Sequence, residues 1–280
     1  MTDRQTAIPR RLLCSAGGFA LLSGCGASGS RHPVSAARTE ASPPVVRARA
    51  QDQAQDRAPV RAAAAAAGTP GKPDYFVHAG PKALALTFDD GPGPVYTGQV
   101  LALLRRHGVK ATFFLIGENV ESYPDVVRQI LGDGHLVGNH TWSHPDLGRL
   151  SRSRIREEIE RTGELIARVG GMRPPTVFRA PGGFFPSASL EICGELGLRP
   201  VSWSVDPEDW SNPGTDVIID RVLRRARTGS IVLEHDGCLA APPIDPGSPA
   251  DRSQTVAALA DYLPRLIDAG YRFTTVAPVS

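Results

Sequence analysis

The chain has 280 residues, a formal net charge of +2, 41% hydrophobic and 21% charged residues, which excludes wholesale disorder and leaves room for one large or two small domains. No apolar run reaches the roughly 18–20 residues of a spanning helix, and four cysteines are too few for a disulfide-built scaffold. The first 72 residues hold ten basic and four acidic side chains, so residues 73–280 carry 21 and 25; that slightly acidic part is a poor match for phosphates, and no nucleic-acid partner is expected.

Arg10 and Arg11 precede a short apolar stretch, Leu12 to Gly24, rich in small residues. A positive flank before a short apolar core reads as an export signal. It ends Leu22-Ser23-Gly24-Cys25, which resembles a bacterial lipoprotein signal with Cys25 as the lipidated residue. The paired arginines leave general secretion and twin-arginine export both open. Residues 26–75 are expected to form a tether, because up to Lys72 the only bulky apolar side chains are Val34, Val45, Val46 and Val60, too few to offset the entropy of ordering. Residues 76–280 are expected to be the folded domain, held by a lipid to the outer face of the cytoplasmic membrane, facing the wall.

From about Tyr75 the pattern changes. Strand-like runs are expected at Ala83–Phe88, Ala111–Leu115, His135–His140, Thr176–Arg179, Pro200–Ser204, Ile231–His235 and Tyr271–Thr275. Helical periods fall between them, over Thr97–His107, Pro124–Leu131, Ser153–Val169, Ser187–Leu196, Asp216–Arg227 and Arg252–Ala269. In Ser153–Val169, Ile155, Ile159, Leu165 and Ile166 take one side and Arg and Glu the other, an amphipathic pattern. Alternating strand and helix argues for a parallel sheet with helices outside. Seven strands suggest a closed or nearly closed barrel, and an open doubly wound sheet is the alternative that periodicity leaves standing.

Polar residues cluster at the ends of these strands. Asp89 and Asp90 follow the first, His140 and His144 the third, and Arg179 ends the fourth. Asp206 and Asp209 follow the fifth, and His235 and Asp236 end the sixth. In both candidate architectures the C-terminal strand ends form one face, where sites are built. Taken singly, each has a plainer reading. Asp90 suits an Asp-Gly turn, Arg179 a solvated turn, Asp209 a helix cap, and Trp210 a core position. Two adjacent carboxylates, however, call for a cation or a shared proton. Histidines four apart can face the same way on a turn of helix and give one metal two nitrogens. With a carboxylate as third ligand, an open coordination position makes the arrangement catalytic rather than structural.

Taken together, the segments Thr87–Gly91, His140–His144, Arg179–Gly183, Asp206–Trp210 and Leu233–Asp236 resemble, in order, the five motifs of the polysaccharide deacetylase family, also called the NodB-homology domain or carbohydrate esterase family 4. The resemblance covers roughly residues 80–280. It implies a distorted (β/α) barrel of about seven parallel strands with outer helices. It assigns Asp90, His140 and His144 to one divalent metal, most often zinc, with Co2+ or another divalent ion as alternatives. It makes Asp89 the base for the attacking water, Arg179 its orienting partner, His235 the acid for the departing amine and Asp209 the residue holding that acid. Gly182 would offer a backbone N–H to the oxyanion. Trp210 and Leu233, with Pro181, would wall the acetyl pocket. The family often has an aromatic residue where Gly182 stands, and Phe184 and Phe185 are the candidates to replace it.

The activity so implied is N-deacetylation of a polysaccharide by a monomer, on peptidoglycan N-acetylhexosamine or chitin oligomers. An O-acetyl esterase on xylan or another glycan uses the same parts, and an inactive glycan-binding module on the same fold is a third reading. Export permits a disulfide between Cys193 and Cys238; two separate thiols are the equal alternative, since geometry decides.

Overall fold

Strand β1 (Ala83–Gly91) is an apolar run that ends in two aspartates, a pattern that needs cover on both faces. A computed structural model describes residues 71–239, 248 and 250–277, all within the unit Val60–Ser280. The expected leader, Cys25 and the tether as far as residue 70 lie outside the described residues.

On one side β1 pairs with β2 (Thr112–Leu115), which continues to β3 (Leu136–Asn139), β4 (Val177–Phe178) and β5 (Arg199–Pro200). On the other it pairs with β6 (Ile231–His235), and its first two residues pair with β7 (Arg272–Phe273). Every pairing between these strands is parallel. The barrel is not closed. After Pro200 the chain exchanges backbone hydrogen bonds with Asp74, then meets β6 only at the Val205–Val232 bridge. This corrects the expected strand Pro200–Ser204: from Ser202 onward the N–H groups point to Asp74 and Ile231 and no longer to β4.

The pleat separates two cores. Leu84, Leu86, Phe88, Phe113, Leu115, Val137 and Val232 pack outward on the helices, while Ala85, Phe114, Val177, Val201 and Ile231 pack inside the sheet's curve. These alternate along each strand, as period-2 side chains must. The outer layer includes α1 (Tyr96–Arg106), α3 (Pro124–Gly132), α6 (Thr215–Arg225) and α7 (Ser253–Asp268). A third cluster joins α4 (Arg152–Gly170) and α5 (Ser187–Leu196) to Phe178. Helix α2 (Gly117–Ser122) was not expected; its sequence, Gly-Glu-Asn-Val-Glu-Ser, is too short to set up an apolar period.

Candidate active site

The register of β1 and β6 places Thr87 beside Leu233 and Asp89 beside His235, so these four share the inner face. Asp90 breaks that alternation. Its φ is +67°, and the pairing with β2 shifts between Asp89 and Gly91. Two adjacent carboxylates are thereby given different surroundings.

The Asp90 carboxylate meets the histidines. Its Oδ1 lies 3.3 Å from His140 Nε2 and 3.4 Å from His144 Nε2. The histidines are not on a helix turn as expected; they lie in the loop after β3, where Thr141 and His144 have φ of +71° and +51°. His140 donates Nδ1–H to the Arg179 carbonyl at 2.8 Å, which orients the ring so that Nε2 faces Asp90. Burial alone would raise the Asp90 pKa, but the histidines outweigh it and hold the group well below the usual carboxylate range. Burial pushes His144 below its ordinary value, against the pull of Asp90.

These three residues fit a metal ion. Asp90 Oδ1 is buried without a hydrogen-bond partner, and the three donor atoms lie within 4.8 Å of one another. Ligands about 2.0–2.1 Å from one centre at tetrahedral angles stand roughly 3.3 Å apart, which matches both measured separations.

Asp89 bridges Arg179 and the histidines: its Oδ2 lies 3.7 Å from His140 Nε2, and its Oδ1 meets Arg179. Arg179 is fully buried; its Nη1 donates to Asp89 Oδ1 at 2.7 Å and Thr87 Oγ1 at 2.8 Å, and its Nη2 to the Ser202 carbonyl at 2.9 Å. The guanidinium also stacks over the Phe114 ring, 4.1 Å from its centroid. So rigid a cation holds the neighbouring carboxylate in one orientation.

The sixth strand carries the opposite charge. Asp209 is fully buried and accepts His235 Nδ1–H, the His235 backbone N–H and Thr255 Oγ1–H, each at 2.8 Å. Burial pulls the imidazole pKa down, but Asp209 outweighs burial and holds it up at about 9. His235 is therefore a cation at neutral pH. Behind it, Glu234 points away from the site and is pushed well above the carboxylate range by burial and then by Asp209.

The remaining expected residues are placed as follows. Pro181 is buried, and Gly182 has φ of +62°, in a short 3-10 turn, Pro181–Gly183. Gly183 is required there: a Cβ would run into the Trp203 ring. Leu233 is buried, whereas Trp210 is 52% exposed, beside Asp209 in the turn Asp209–Ser211. Phe184 is exposed, but Phe185 packs edge-on against Phe178 in the third core. It therefore does not replace the missing aromatic side chain. Cys193 and Cys238 are separate thiols, and burial pushes Cys193 up to about 12. Sequence reasoning missed Thr87 and Thr255. Thr87 could have been found two residues before Asp89 on the same strand face; Thr255, on α7, gave no signal.

Comparison with known proteins agrees with this site. The polysaccharide deacetylase family pattern matches residues 77–201. A peptidoglycan-N-acetylglucosamine deacetylase of Bacillus cereus is 43% identical over 198 residues, covering 70% of this chain and 87% of that protein. A chitooligosaccharide deacetylase of Rhizobium leguminosarum bv. trifolii is 45% identical over 189 residues, 66% of this chain and 86% of that one. Among solved structures, a carbohydrate esterase family 4 pseudoenzyme of Bacillus anthracis is similar with a TM-score of 0.65 at 30% identity, over 74% of this chain and 68% of its own. The strand-end motifs, the Asp-His-His cluster and these relatives agree: the chain belongs to the polysaccharide deacetylase family.

Proposed function

We propose that this protein is a zinc-dependent N-deacetylase of peptidoglycan N-acetylhexosamine. The observation that carries the reading is the convergence of Asp90, His140 and His144, with Asp89 Oδ2 3.7 Å from His140 Nε2 and the cationic His235 beside Asp89 on the neighbouring strand. Two imidazoles and one carboxylate suit Zn2+, and Co2+ or another divalent ion is accepted by the same donors. When bound, such an ion lowers the pKa of water to about 7 and polarises the acetyl carbonyl.

The side chains then supply the proton transfers. Asp89, oriented by Arg179, takes the proton from the attacking water. His235, kept charged by Asp209, gives its proton to the departing amine. The backbone N–H of Gly182 stabilises the developing oxyanion, an effect typically worth about 3 kcal/mol. Trp210, Leu233 and Pro181 enclose the acetyl methyl. The protein works as a monomer, lipid-anchored through Cys25 outside the cytoplasmic membrane, and Cys25→Ser would move it from the membrane to the soluble fraction.

The test is acetate release from purified peptidoglycan after chelation, with and without added Zn2+, beside chitin oligomers and an O-acetylated xylan. Zinc-restored release from peptidoglycan supports the reading. Release from the O-acetylated glycan alone makes it an esterase. Glycan binding without acetate release by the zinc-loaded protein makes it a pseudoenzyme.

A further inference from the structure

The loop carrying both histidines is held in a conformation its residues seldom adopt. Thr141, a β-branched residue, and His144 both have positive φ, outside the regions open to most side chains. Such geometry persists only where the surroundings over-determine it. Here one helix does so. Glu158 of α4 is 7% exposed; its Oε2 accepts the backbone N–H groups of Trp142 and Ser143, each at 2.8 Å, and its Oε1 accepts the Ser143 hydroxyl at 3.0 Å. Those two N–H groups lie between the two positive-φ residues, and consecutive N–H groups of this kind form a cradle for an anion.

The same helix grips the loop elsewhere. Arg161, one turn on, lies over the Trp142 ring at 3.3 Å. Asn139 donates Nδ2–H to the Ile159 carbonyl at 2.7 Å and accepts the Thr141 N–H at 2.9 Å. Gly117 lets the ring seat, since a Cβ there would run into Trp142. In the sequence Glu158 falls within the apolar stripe of α4, beside Ile155, Ile159 and Thr162. A charged residue there has a task other than solvation.

We propose that Glu158 is a positioning residue for the metal centre, holding the 140–144 loop so that His144 Nε2 meets Asp90 Oδ1. The inference rests on the reading that Asp90, His140 and His144 hold a metal ion. Groups that orient metal ligands typically contribute about 10- to 100-fold in affinity. Gln at this position can accept both N–H groups through its carbonyl oxygen and donate to the Ser143 hydroxyl, so it preserves the grip without the charge. Ala cannot.

The experiment is Zn2+ titration of metal-free protein by calorimetry, for wild type, Glu158→Gln, Glu158→Ala and Ser143→Ala, with melting of each metal-free protein. Glu158→Ala should bind Zn2+ about 10- to 100-fold more weakly. Glu158→Gln should stay within about threefold of wild type, and Ser143→Ala should lose about three- to tenfold, the worth of one hydrogen bond. Should Glu158→Ala fail to fold, Ser143→Ala and Glu158→Gln carry the test. Wild-type affinity in Glu158→Ala, equal weakening in Gln and Ala, or wild-type affinity in Ser143→Ala overturns the inference. A wild-type protein that binds no Zn2+ overturns the metal reading instead.

Discussion

The two halves of the site differ in how their carboxylates are satisfied. On the metal side Asp90, Thr141 and His144 all have positive φ, and two histidines from one loop converge on Asp90 Oδ1 at the end of β1, an oxygen without a hydrogen-bond partner. The acid side depends on burial and pairing: His235 ends β6, and a single buried carboxylate, Asp209, in a short turn flanked by Glu208 and Asn212, both with positive φ, takes both its ring and its backbone N–H. The first half keeps an unpartnered carboxylate oxygen, whereas the second is already satisfied. The difference teaches that loss of metal and loss of proton transfer should be separable by mutation.

The largest separable effect belongs to Asp89. On the proposed role of Asp89 as the base, Asp89→Asn removes the proton acceptor while leaving Asp90, His140 and His144 in place. Acetate release should fall about 10²- to 10⁴-fold, and excess Zn2+ should not restore it. His235→Ala should follow with a penalty that depends on the substrate: large for an N-acetyl sugar, much smaller for an aryl acetate, whose leaving group departs without a proton. An equal penalty on both substrates would give His235 some role other than the acid.

Asp209→Asn sharpens the acid half through pH. On the proposed role of His235 as the acid, its imidazolium is the active form, so activity should be lost as pH rises through its pKa, held up at about 9 by Asp209. Without that anion the imidazole falls toward its ordinary 6.5. The alkaline limb of the rate profile should move down by at least about one unit. An unmoved limb would show that Asp209 does not set the charge of His235.

The smallest effect lies outside both halves and concerns stability. His135 is buried, and burial holds its pKa at about 4, against 6.5 when exposed. The unfolded chain takes up the proton first as pH falls. The stability this gives is therefore full above pH 6.5 and lost as pH drops toward 4. His135→Gln should flatten that acid loss in melting experiments without changing Zn2+ affinity.

Much of this arrangement was legible in the sequence because strand ends are marked twice, by the close of an apolar run and by the polar residue after it. Asp89, Asp90, Arg179 and His235 were located that way. The histidine pair was legible by residue type but not by shape, since nothing in His-Thr-Trp-Ser-His announces two left-handed residues. Glu158 was hidden for a related reason. Amphipathic reading assigns charged residues to the solvent face, and only the loop across from α4 makes a buried carboxylate useful there. The short β5 and the single bridge at Val205 were likewise set by where backbone N–H groups find partners, which depends on Asp74 and Ile231 far away in the chain.

The division of labour between the adjacent aspartates is tested most directly by the Zn2+ content of wild type, Asp89→Asn and Asp90→Asn after equilibration with limiting zinc. Wild type and Asp89→Asn should each hold about one ion, and Asp90→Asn clearly less, with partial recovery of activity at excess Zn2+. Equal zinc content in all three proteins would contradict the account.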